Sequence, residues 1–568
     1  MSDEKLNCKV SDIFDGLCRK LVADNEVGTT SRIFSELDTN AERVQFAAKL
    51  LSKYSLFPAI AEQRKDDILS AKYRQEGNEA FKRKDDLCAW HLYTKSISYA
   101  TSNSECLSLA YANRSAVLYE RKMYRECMKD IANAFKHNYP NRLREKLACR
   151  QEKARSLLPT QSPFVYYGKA PSSDERDAEI ECASAKVEIR NSTEVGRHVV
   201  AKRTIEIGEV VAVERPYVHV LLGNCLQDHC YSCLRFGYAW TPCTGCVYAM
   251  YCSDECERDA WNRFHRYECP ILACLYALDV SKLALLALRI AFAARFHYEA
   301  IAAGRYDDGD DRGTPYRSGR YEEIHRLATN TTLRSCSDLF SKAVTAAVIR
   351  HIAETASSFH TKSTDRVFDE LLMRHLQTGP INFHEISEAE EDTTNESGFV
   401  STLEIGAGAY AFLSLFNHSC DPNVVRHCHG NEIVVRAIRT IHAGEQLFDN
   451  YGYHYAVMKK ADRRRQLERQ YFFICKCAAC EDNWPLYVDL PRPTNNDEER
   501  TFDVPDLAPL LRSDRKEVLA LLTRLLDRNI EIDRDRTNCG RRPRKSLADF
   551  QETIKHCYAL LGNRRPAF

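Results

Sequence analysis

The pattern of apolar and polar positions changes several times along the chain, and each change predicts a different kind of element. Residues 1–70 show helical periodicity and little else. In residues 71–160, small and large side chains alternate within helices and the pattern recurs, which predicts stacked helix pairs. Residues 183–225 and 401–455 instead alternate with a period of two, which predicts β-strands.

Two segments separate the predicted strand regions. Residues 230–269 are rich in cysteine, and residues 270–400 are mainly helical. A second cysteine group follows at 470–482, and residues 483–568 carry two further helices, near 516–532 and 546–562. Since strands flank the interruption, we expect both strand regions to share one core. The predicted fold class is therefore an α+β multidomain protein.

Composition and charge exclude several classes of protein. Among 568 residues, 80 Lys and Arg balance 80 Asp and Glu, so we expect no nucleic-acid binding by bulk charge. The longest apolar run, residues 271–296, is broken by charged residues and predicts a buried or amphipathic helix and no membrane span. The N-terminal residues lack the basic and apolar pattern of a signal peptide.

The 24 cysteines are the unusual part of the composition. Without a signal peptide we expect a cytoplasmic and nuclear protein, where closely spaced cysteines bind metal and do not form disulfides. Seven thiolates and one imidazole in residues 230–269 suffice for two tetrahedral zinc sites, and a set of buried free cysteines is the alternative. The ligand pairs are Cys230 and Cys233, Cys243 and Cys246, Cys252 and Cys256, and His265 and Cys269.

A second constellation lies nearer the C-terminus. The sequence NHSC follows an apolar segment at 417–420, and CKCAAC at 475–480 supplies three thiols. Cys475, Cys477 and Cys480 leave one position of a closed zinc site open, and Cys420 is the best candidate for it. That bond would fold the tail over the NHSC segment and wall off a narrow channel. We therefore predict three zinc ions per chain.

The helical repeats resemble the tetratricopeptide repeat family over roughly 90 residues. The matching positions are Gly77, Asn78, Ala80 and Phe81 in the first unit, and Tyr111, Asn113, Arg114, Ala116 and Tyr119 in the second. An ordinary helical bundle is the alternative, because helical periodicity alone is common.

The cysteine segment resembles the MYND zinc finger, with Tyr251 before the third ligand pair and Trp261 on the last helix. In that family the ligands interleave. The resemblance therefore implies one site from Cys230, Cys233, Cys252 and Cys256, and another from Cys243, Cys246, His265 and Cys269. It implies either a structural role or the docking of proline-rich peptides. We expect no direct nucleic-acid binding, because acidic residues are mixed with the arginines of this segment.

NHSCDPN at 417–423, GEQLFDNYGY at 444–453 and the cysteine tail together resemble the core of a SET-domain lysine methyltransferase. A MYND finger ahead of this core is typical of the SET-and-MYND family, and the repeats are typical of its subtype with N-terminal tetratricopeptide repeats. The resemblance implies a split SET β-fold, interrupted by the finger and a helical insert and followed by a cysteine-rich post-SET segment and C-terminal helices. It implies methyl transfer from S-adenosylmethionine to a lysine of a histone or non-histone protein.

The same resemblance implies roles for individual residues. Tyr451 would orient the lysine amine, which must arrive neutral against a reference pKa of about 10.4. Tyr471 would line the substrate channel. The residues that would bind the cofactor are Gly196, Arg197, Asn330, Asn382, Ser414, Phe416, Asn417, His418, Tyr451 and Phe473.

One position departs from the family pattern. His198 stands where the family has the second glycine of a Gly-x-Gly turn, which lets the backbone approach the cofactor. A side chain there would crowd the cofactor or point outward. The alternative function is therefore an adaptor or transcriptional co-repressor with little or no catalytic activity, which acts through its repeats and finger.

The repeats contain a further candidate site. Some tetratricopeptide domains bind the acidic C-terminal tails of chaperones through a two-carboxylate clamp, which needs cations and asparagines at set positions. The matching residues are Arg74, Asn78, Asn113, Lys146 and Arg150. The last two are four apart and share one helix face, so both can meet one anion. Ordinary repeat residues and solvated surface cations are the alternative.

Overall fold

Helices form both ends of the chain and strands form its centre, so the predicted α+β fold class is confirmed. The computed structural model describes residues 9–565 apart from 62, 159–169, 173–174, 307–314, 360–364, 391–400, 491–504, 506, 512–513 and 540–542. None of the described helices combines the length and the apolar composition that a membrane span requires.

The first three helices are α1 Val10–Ala23, α2 Val27–Ser35 and α3 Asn40–Lys53. They pack away from the repeats. Helix α3 contacts two much later helices, Cys336–Ala356 and Asp365–Asn382, and joins their hydrophobic core. At its first residue, Asn40 donates to the Glu370 carboxylate at 2.7 Å. The helical N-terminal region therefore belongs to the central core.

The repeats are five helices: α4 Asp67–Lys82, α5 Asp86–Tyr99, α6 Glu105–Glu120, α7 Tyr124–Lys136 and α8 Asn141–Leu157. Asp66 begins α4 by accepting hydrogen bonds from two backbone N–H groups of its first turn, as an N-cap does. Gly77 lets α4 and α5 approach closely, since a Cβ there would lie 2.7 Å from the Tyr93 ring. Small residues at such points explain the alternation in the sequence.

Strands from both sides of the interruption share sheets. The early strands are β1 Val187–Ser192, β2 Gly196–Ala201, β3 Val210–Glu214 and β4 His219–Leu221, and β5 Thr241–Pro242 and β6 Met250–Tyr251 pair within the finger segment. The later strands are β7 His384–Glu390, β8 Ser401–Gly408, β9 Asn417–His418, β10 Val424–His429, β11 Glu432–Ala437, β12 Phe448–Asp449 and β13 Arg564–Arg565. The sheet orders are β10-β11-β3 and β13-β7-β8-β4, so the two strand regions share one core as expected.

Helices fill the segment between the finger and β7. They are α9 Asp254–Ala260, α10 Arg266–Glu268, α11 Leu272–Ala277, α12 Lys282–Ala293, α13 Tyr298–Ala302, α14 Tyr321–His325, α15 Cys336–Ala356 and α16 Asp365–Asn382. The apolar run at 271–296 became α11 and α12, both packed into the core. Within α12 the buried Arg289 pairs with Glu268 of α10 at 2.7 Å, which explains a charge in an apolar helix.

Four further helices follow the last central strand: α17 Lys460–Tyr471, α18 Ala478–Glu481, α19 Arg515–Cys539 and α20 Lys545–Leu561. Helices α19 and α20 correspond to the two C-terminal helices predicted from the sequence. They form a separate hydrophobic cluster with Ala389 of β7 and Ile438 just after β11. The domain boundaries drawn from the sequence stay predictions.

Candidate active site and metal centres

Three groups of zinc-type ligands come together in the structure, and in each group the four ligand atoms lie within 4.8 Å of one another. The groups are Cys230, Cys233, Cys252 and Cys256; Cys243, Cys246, His265 and Cys269; and Cys420, Cys475, Cys477 and Cys480. They are the three sets proposed from the sequence. The first two interleave along the chain, as the family resemblance implied.

The separations within these groups fit a tetrahedral zinc ion. Zn–S bonds of about 2.3 Å place two sulfurs of a tetrahedron about 3.8 Å apart, whereas disulfide sulfurs lie about 2.05 Å apart. The Sγ atoms of Cys233 and Cys252 are 3.7 Å apart, and those of Cys420 and Cys480 are 3.6 Å apart. In the second group, His265 Nε2 lies 3.3 Å from Cys243 Sγ.

Local structure presents each ligand. Ser253 caps α9 by accepting from the Cys256 backbone N–H at 3.2 Å, which sets the ligand at the start of the helix. In the third group, Cys420 follows β9, and Cys477 precedes α18. The buried Arg463 of α17 donates to the Cys480 sulfur at 3.5 Å, and this positive charge favours a thiolate there.

A cavity of about 1320 Å³ opens beside the third ligand group. Four of the predicted site residues line it: Asn417, His418, Tyr451 and Phe473. Cys475 and Cys477 also line it, so the cysteine tail forms part of the wall. The narrow channel predicted from the position of Cys420 stays a prediction.

Tyr451 is held at three points in this cavity. Its hydroxyl donates to the Phe416 carbonyl at 2.8 Å, and its backbone N–H donates to His418 Nδ1 at 3.1 Å. The Tyr471 ring packs against it with ring centroids 4.7 Å apart. Burial, and then the Asp449 carboxylate, raises the pKa of Tyr451 well above its usual value. The hydroxyl therefore stays protonated and can orient a neighbouring group.

His418 is neutral in this arrangement. Burial lowers the pKa of His418 to about 4. With Nδ1 accepting from Tyr451, the ring proton lies on Nε2, which faces Cys420 Sγ at 3.3 Å. The ring also packs beside Phe473, at 6.2 Å between centroids. His418 thereby contacts Tyr451, Phe473 and one cysteine of the third ligand group.

Two predicted cofactor residues outside the cavity wall, Ser414 and Asn382, contact each other, and Asn417 of the wall reaches the segment of Gly196. Asn417 lies 3.4 Å from the Val195 carbonyl, next to Gly196. Ser414 donates to the Asn382 carbonyl at 2.7 Å, and Asn382 in turn donates to the Ala328 carbonyl at 2.9 Å. The structure thus brings residues from four separate segments to one place.

Arg197 and Asn330 lie on the far side of this group. Arg197 donates to the Arg326 carbonyl at 2.9 Å, close to the segment that carries Asn330. Asn330 has left-handed backbone, φ +52°, where a 3-10 turn begins. Seven predicted residues stand outside the cavity wall, namely Gly196, Arg197, Asn330, Asn382, Ser414, Phe416 and Tyr471. Their roles stay predictions.

His198 does not line the cavity. Its Nδ1 lies 2.9 Å from the Gly196 carbonyl, so the ring folds back on its own strand. Gly196 has φ +67°, and a Cβ at that position would meet nothing within 4 Å. Of the two placements considered for the side chain, crowding and pointing outward, this geometry supports the second.

Some residues of the cavity wall were missed by sequence reasoning. Val195, Ile474 and Trp484 line the cavity beside the predicted positions. Apolar side chains carry no chemical signature of their own. The available signal was their position, because Val195 precedes the glycine turn and Ile474 stands between two predicted site residues.

A fourth cluster of metal-type side chains adjoins the finger, with Cys225, Asp228 and His229 close together and buried. His229 Nδ1 lies 2.7 Å from Asp228 and its Nε2 lies 3.0 Å from Glu388. Burial lowers the pKa of His229, but the Glu388 and Asp228 carboxylates outweigh burial and hold this pKa well above its usual value. With both ring nitrogens engaged and Arg565 also contacting Asp228, this is a buried ionic cluster that joins β13 to the finger.

The repeats and the finger are in direct contact. The buried Arg114 pairs with Asp130 at 2.8 Å and donates to the Trp240 carbonyl at 2.9 Å. Trp90 donates to the Tyr238 carbonyl at 2.8 Å. The finger loop therefore packs on the repeats and shares their hydrophobic cluster.

The residues of the predicted clamp lie on the repeats, and some of them are already engaged. Asn113 donates to Asn78 at 2.7 Å, and Arg150 donates to the Ala112 carbonyl at 2.8 Å. Tyr93 also donates to Asn78, at 2.9 Å. A carboxylate at this site would compete with hydrogen bonds within the repeats.

Comparisons with known proteins agree with this geometry. The SET domain family model matches residues 196–452. The chain is 27% identical over 561 residues to mouse "Protein-lysine N-methyltransferase SMYD4", covering 77% of this chain and 69% of that protein. For the zebrafish SMYD4 the figures are 27% over 547 residues, with 81% and 70% covered. Pig "N-lysine methyltransferase SMYD2" is 25% identical over 286 residues, 50% of this chain and 58% of that protein.

Proposed function

The chain belongs to the family of SET-domain protein-lysine methyltransferases that includes SMYD4 and SMYD2, and from that premise we propose that it methylates a lysine of another protein. The observation that carries the proposal is the position of Tyr451. Its protonated hydroxyl stands in a cavity whose wall includes His418, Asn417 and Phe473.

The cavity wall suits the cofactor that the family uses. S-adenosylmethionine, when bound, supplies an activated methyl group on a positively charged sulfur. Cations pack well against aromatic rings, and Tyr451, Tyr471 and Phe473 provide such rings beside the Phe416 carbonyl. We propose that Asn417 and His418 hold the cofactor together with the segments of Gly196, Arg197, Asn330, Asn382 and Ser414.

The residues of the chain then position the substrate and exclude water. The Tyr451 hydroxyl is fixed by the Phe416 carbonyl and keeps one lone pair free to accept a hydrogen bond from the incoming amine. Tyr471 and Phe473 shield this point from solvent. Holding two reactants in line in a dry cavity is the main source of rate enhancement in such a transfer.

The test is a methyl-transfer assay with labelled cofactor against proteins of a cell extract. We expect Tyr451→Phe to lose activity by about 100-fold or more while still binding S-adenosylmethionine in calorimetry. The matched control is Tyr453→Phe, because Tyr453 donates to Gln470 outside the cavity wall and should keep its activity. Wild-type turnover by Tyr451→Phe on a verified substrate would contradict the catalytic assignment.

The adaptor function is the alternative outcome of the same measurement. If neither the wild type nor His198→Gly bound S-adenosylmethionine, the chain would act through its repeats and finger alone. The outward position of the His198 ring favours the enzyme.

We propose that each of the three ligand groups holds one zinc ion in a closed structural site. All three present four thiolate or imidazole ligands, the set that structural zinc prefers. The eleven cysteines among these ligands leave thirteen of the 24 as free thiols. Metal analysis of purified protein should return about three zinc ions per chain, and one or none would contradict the proposal.

For the repeats we propose an acidic peptide ligand, such as a chaperone C-terminal tail. The support is that Lys146 and Arg150 lie one turn apart on α8, and that Arg74 and Arg150 both act electrostatically on Tyr93. An acidic tail peptide should bind the full-length chain and lose affinity in the Lys146→Ala, Arg150→Ala variant. Absence of binding at millimolar peptide would leave the repeats as a scaffold.

For the finger we propose that proline-rich peptides dock on the face that carries Trp261. That side chain is 42% exposed, whereas Phe236, Tyr238 and Trp240 are buried against the repeats. Binding of a proline-rich peptide should weaken in Trp261→Ala. We also propose a cytoplasmic and nuclear location, which imaging of a tagged chain tests.

A further inference from the structure

Glu214 is a buried carboxylate that the methyl-transfer mechanism does not use. It is the last residue of β3 and is 1% exposed. A carboxylate so far from water needs strong hydrogen-bond donors. The hydrogen-bond partners of Glu214 indicate its role.

Both oxygens of Glu214 accept backbone hydrogen bonds from one turn. One oxygen accepts from the Phe412 N–H and the other from the Leu413 N–H, each at 2.8 Å. These N–H groups stand at the start of the 3-10 turn Leu413–Leu415, where no intrahelical acceptor exists. The carboxylate therefore fixes this turn to the sheet.

The fixed turn carries the proposed site. Its next residue is Phe416, whose carbonyl accepts the Tyr451 hydroxyl at 2.8 Å. Asn417 and His418 follow directly and line the cavity. Within the turn, Ser414 donates to the Asn382 carbonyl at 2.7 Å. A shift of the turn would thus move both the tyrosine anchor and the cavity wall.

The titratable groups that face Glu214 are neutral near pH 7. They are the Cys182 thiol, the Tyr316 phenol and the Tyr410 phenol, and burial raises the pKa of each well above its usual value. Burial also raises the pKa of Glu214 to about 7, against the backbone N–H groups that lower it. Glu214 is therefore the member of this group that changes charge near neutrality.

We propose that Glu214 is a positioning residue whose ionised carboxylate holds the Leu413–Leu415 turn, and so the Phe416 carbonyl and the Asn417–His418 wall, in the arrangement that binds the cofactor. This inference rests on the proposed function. A protonated carboxyl carries an O–H on one oxygen, which weakens the acceptor for one of the two N–H groups. Protonated Glu214 then holds the turn by one strong hydrogen bond, whereas ionised Glu214 holds it by two.

The first test measures S-adenosylmethionine affinity by calorimetry at pH 6, 7 and 8. The proteins are the wild type, Glu214→Gln and the control Glu432→Gln, whose carboxylate pairs with Arg215 near the surface of the same sheet. The amino group of the cofactor itself titrates near pH 8, so the ratio of wild-type to variant affinity is compared at each pH. That ratio should rise by up to about ten-fold from pH 6 to pH 8 for Glu214→Gln, and stay flat for Glu432→Gln. A flat ratio for both variants overturns the proposal.

The second test needs no cofactor. Hydrogen exchange of the Phe412 and Leu413 N–H groups is measured at one pH by mass spectrometry of the peptide 409–418. Exchange should be at least about ten-fold faster in Glu214→Gln than in the wild type or the control, because the acceptor is lost. Equal exchange overturns the proposal.

The two tests separate failure of this inference from failure of the proposed function. If no protein bound the cofactor at any pH, the proposed function would fail, and the exchange result would still decide whether Glu214 holds the turn. Should Glu214→Gln not fold, Glu214→Asp replaces it. The aspartate keeps the charge but falls short of the turn, so it should exchange faster while retaining a rise of affinity with pH.

Discussion

At the scale of single residues, the site depends on polar groups whose ionisation is set by burial. The Tyr451 hydroxyl and the neutral His418 ring are both fixed by backbone groups or by each other. Glu214 stands outside the cavity wall and accepts from the turn that precedes Phe416. Its chemistry nevertheless has a measurable consequence for stability.

The stability contribution of Glu214 should depend on pH. Its pKa is raised from 4.5 to about 7 in the folded chain, so this contribution is fully present below pH 4.5 and is lost as pH rises through 7. Between pH 6 and 8 the loss is about 1 kcal/mol. Glutamine does not titrate, so the melting temperature of the wild type minus that of Glu214→Gln should fall over this range. A constant difference would contradict the raised pKa.

At the scale of elements, one buried ion pair joins the repeats to the finger. Arg114 of α6 and Asp130 of α7 are both fully buried, and Arg114 also binds the Trp240 carbonyl of the finger loop. Burial raises the pKa of Asp130 even beside Arg114. The pair therefore holds α6 and α7 together, and its arginine also binds the finger loop.

Removing one partner of this pair should be costly. Arg114→Met leaves Asp130 buried and unpaired, and we expect a loss of about 3–5 kcal/mol in the free energy of unfolding. Adding Asp130→Leu should recover most of the lost free energy of unfolding, because neither charge of the pair then stays buried. Thermal unfolding followed by tryptophan fluorescence measures the loss and the recovery, since Trp90 and Trp240 lie at this contact.

The control is an exposed pair on the same repeats. Arg155 and Glu152 lie 2.6 Å apart on α8 with more than half of each side chain exposed. Arg155→Met should change stability by no more than about 1 kcal/mol. Equal losses for Arg114→Met and Arg155→Met would show that the buried pair does not join the two elements.

At the scale of the whole molecule, the third ligand group closes the chain on itself. Cys420 lies between β9 and β10, and its three partners lie 55 to 60 residues later, beyond α17. Cys477 both belongs to this group and lines the cavity. Zinc here would couple the cysteine tail to the shape of the cavity.

Cys477→Ser should therefore lose one zinc ion of three and weaken cofactor binding, while the finger keeps its two. Zinc content by atomic absorption and cofactor affinity by calorimetry measure the two effects. The control is Cys149→Ser, because Cys149 is exposed on α8 and stands outside the three groups. Loss of all zinc from Cys477→Ser would indicate that the three sites are not independent.

Some regions of the structure could be predicted from the sequence, and others could not. All twelve members of the three ligand groups were identified, because closely spaced cysteines and a histidine are chemically distinctive even when their partner is distant, as for Cys420. The apolar run at 271–296 was predicted to form a buried or amphipathic helix, since its charged residues exclude a membrane span, and the structure divides it into α11 and α12. By contrast, nothing in residues 1–70 indicated that α3 packs on α15 and α16, since an apolar helix face does not specify its partner.

The sequence by itself identified the α+β fold class and the side chains with distinctive chemistry: the twelve members of the three ligand groups, and Tyr451, which we propose orients the amine. These depend on local spacing and on side chains with few alternative uses. The tertiary structure alone decided where His198 points, how the repeats cover the finger and what Glu214 holds. Those outcomes depend on contacts between residues far apart in the chain. The role of Glu214 follows only from the two backbone N–H groups that donate to its buried carboxylate.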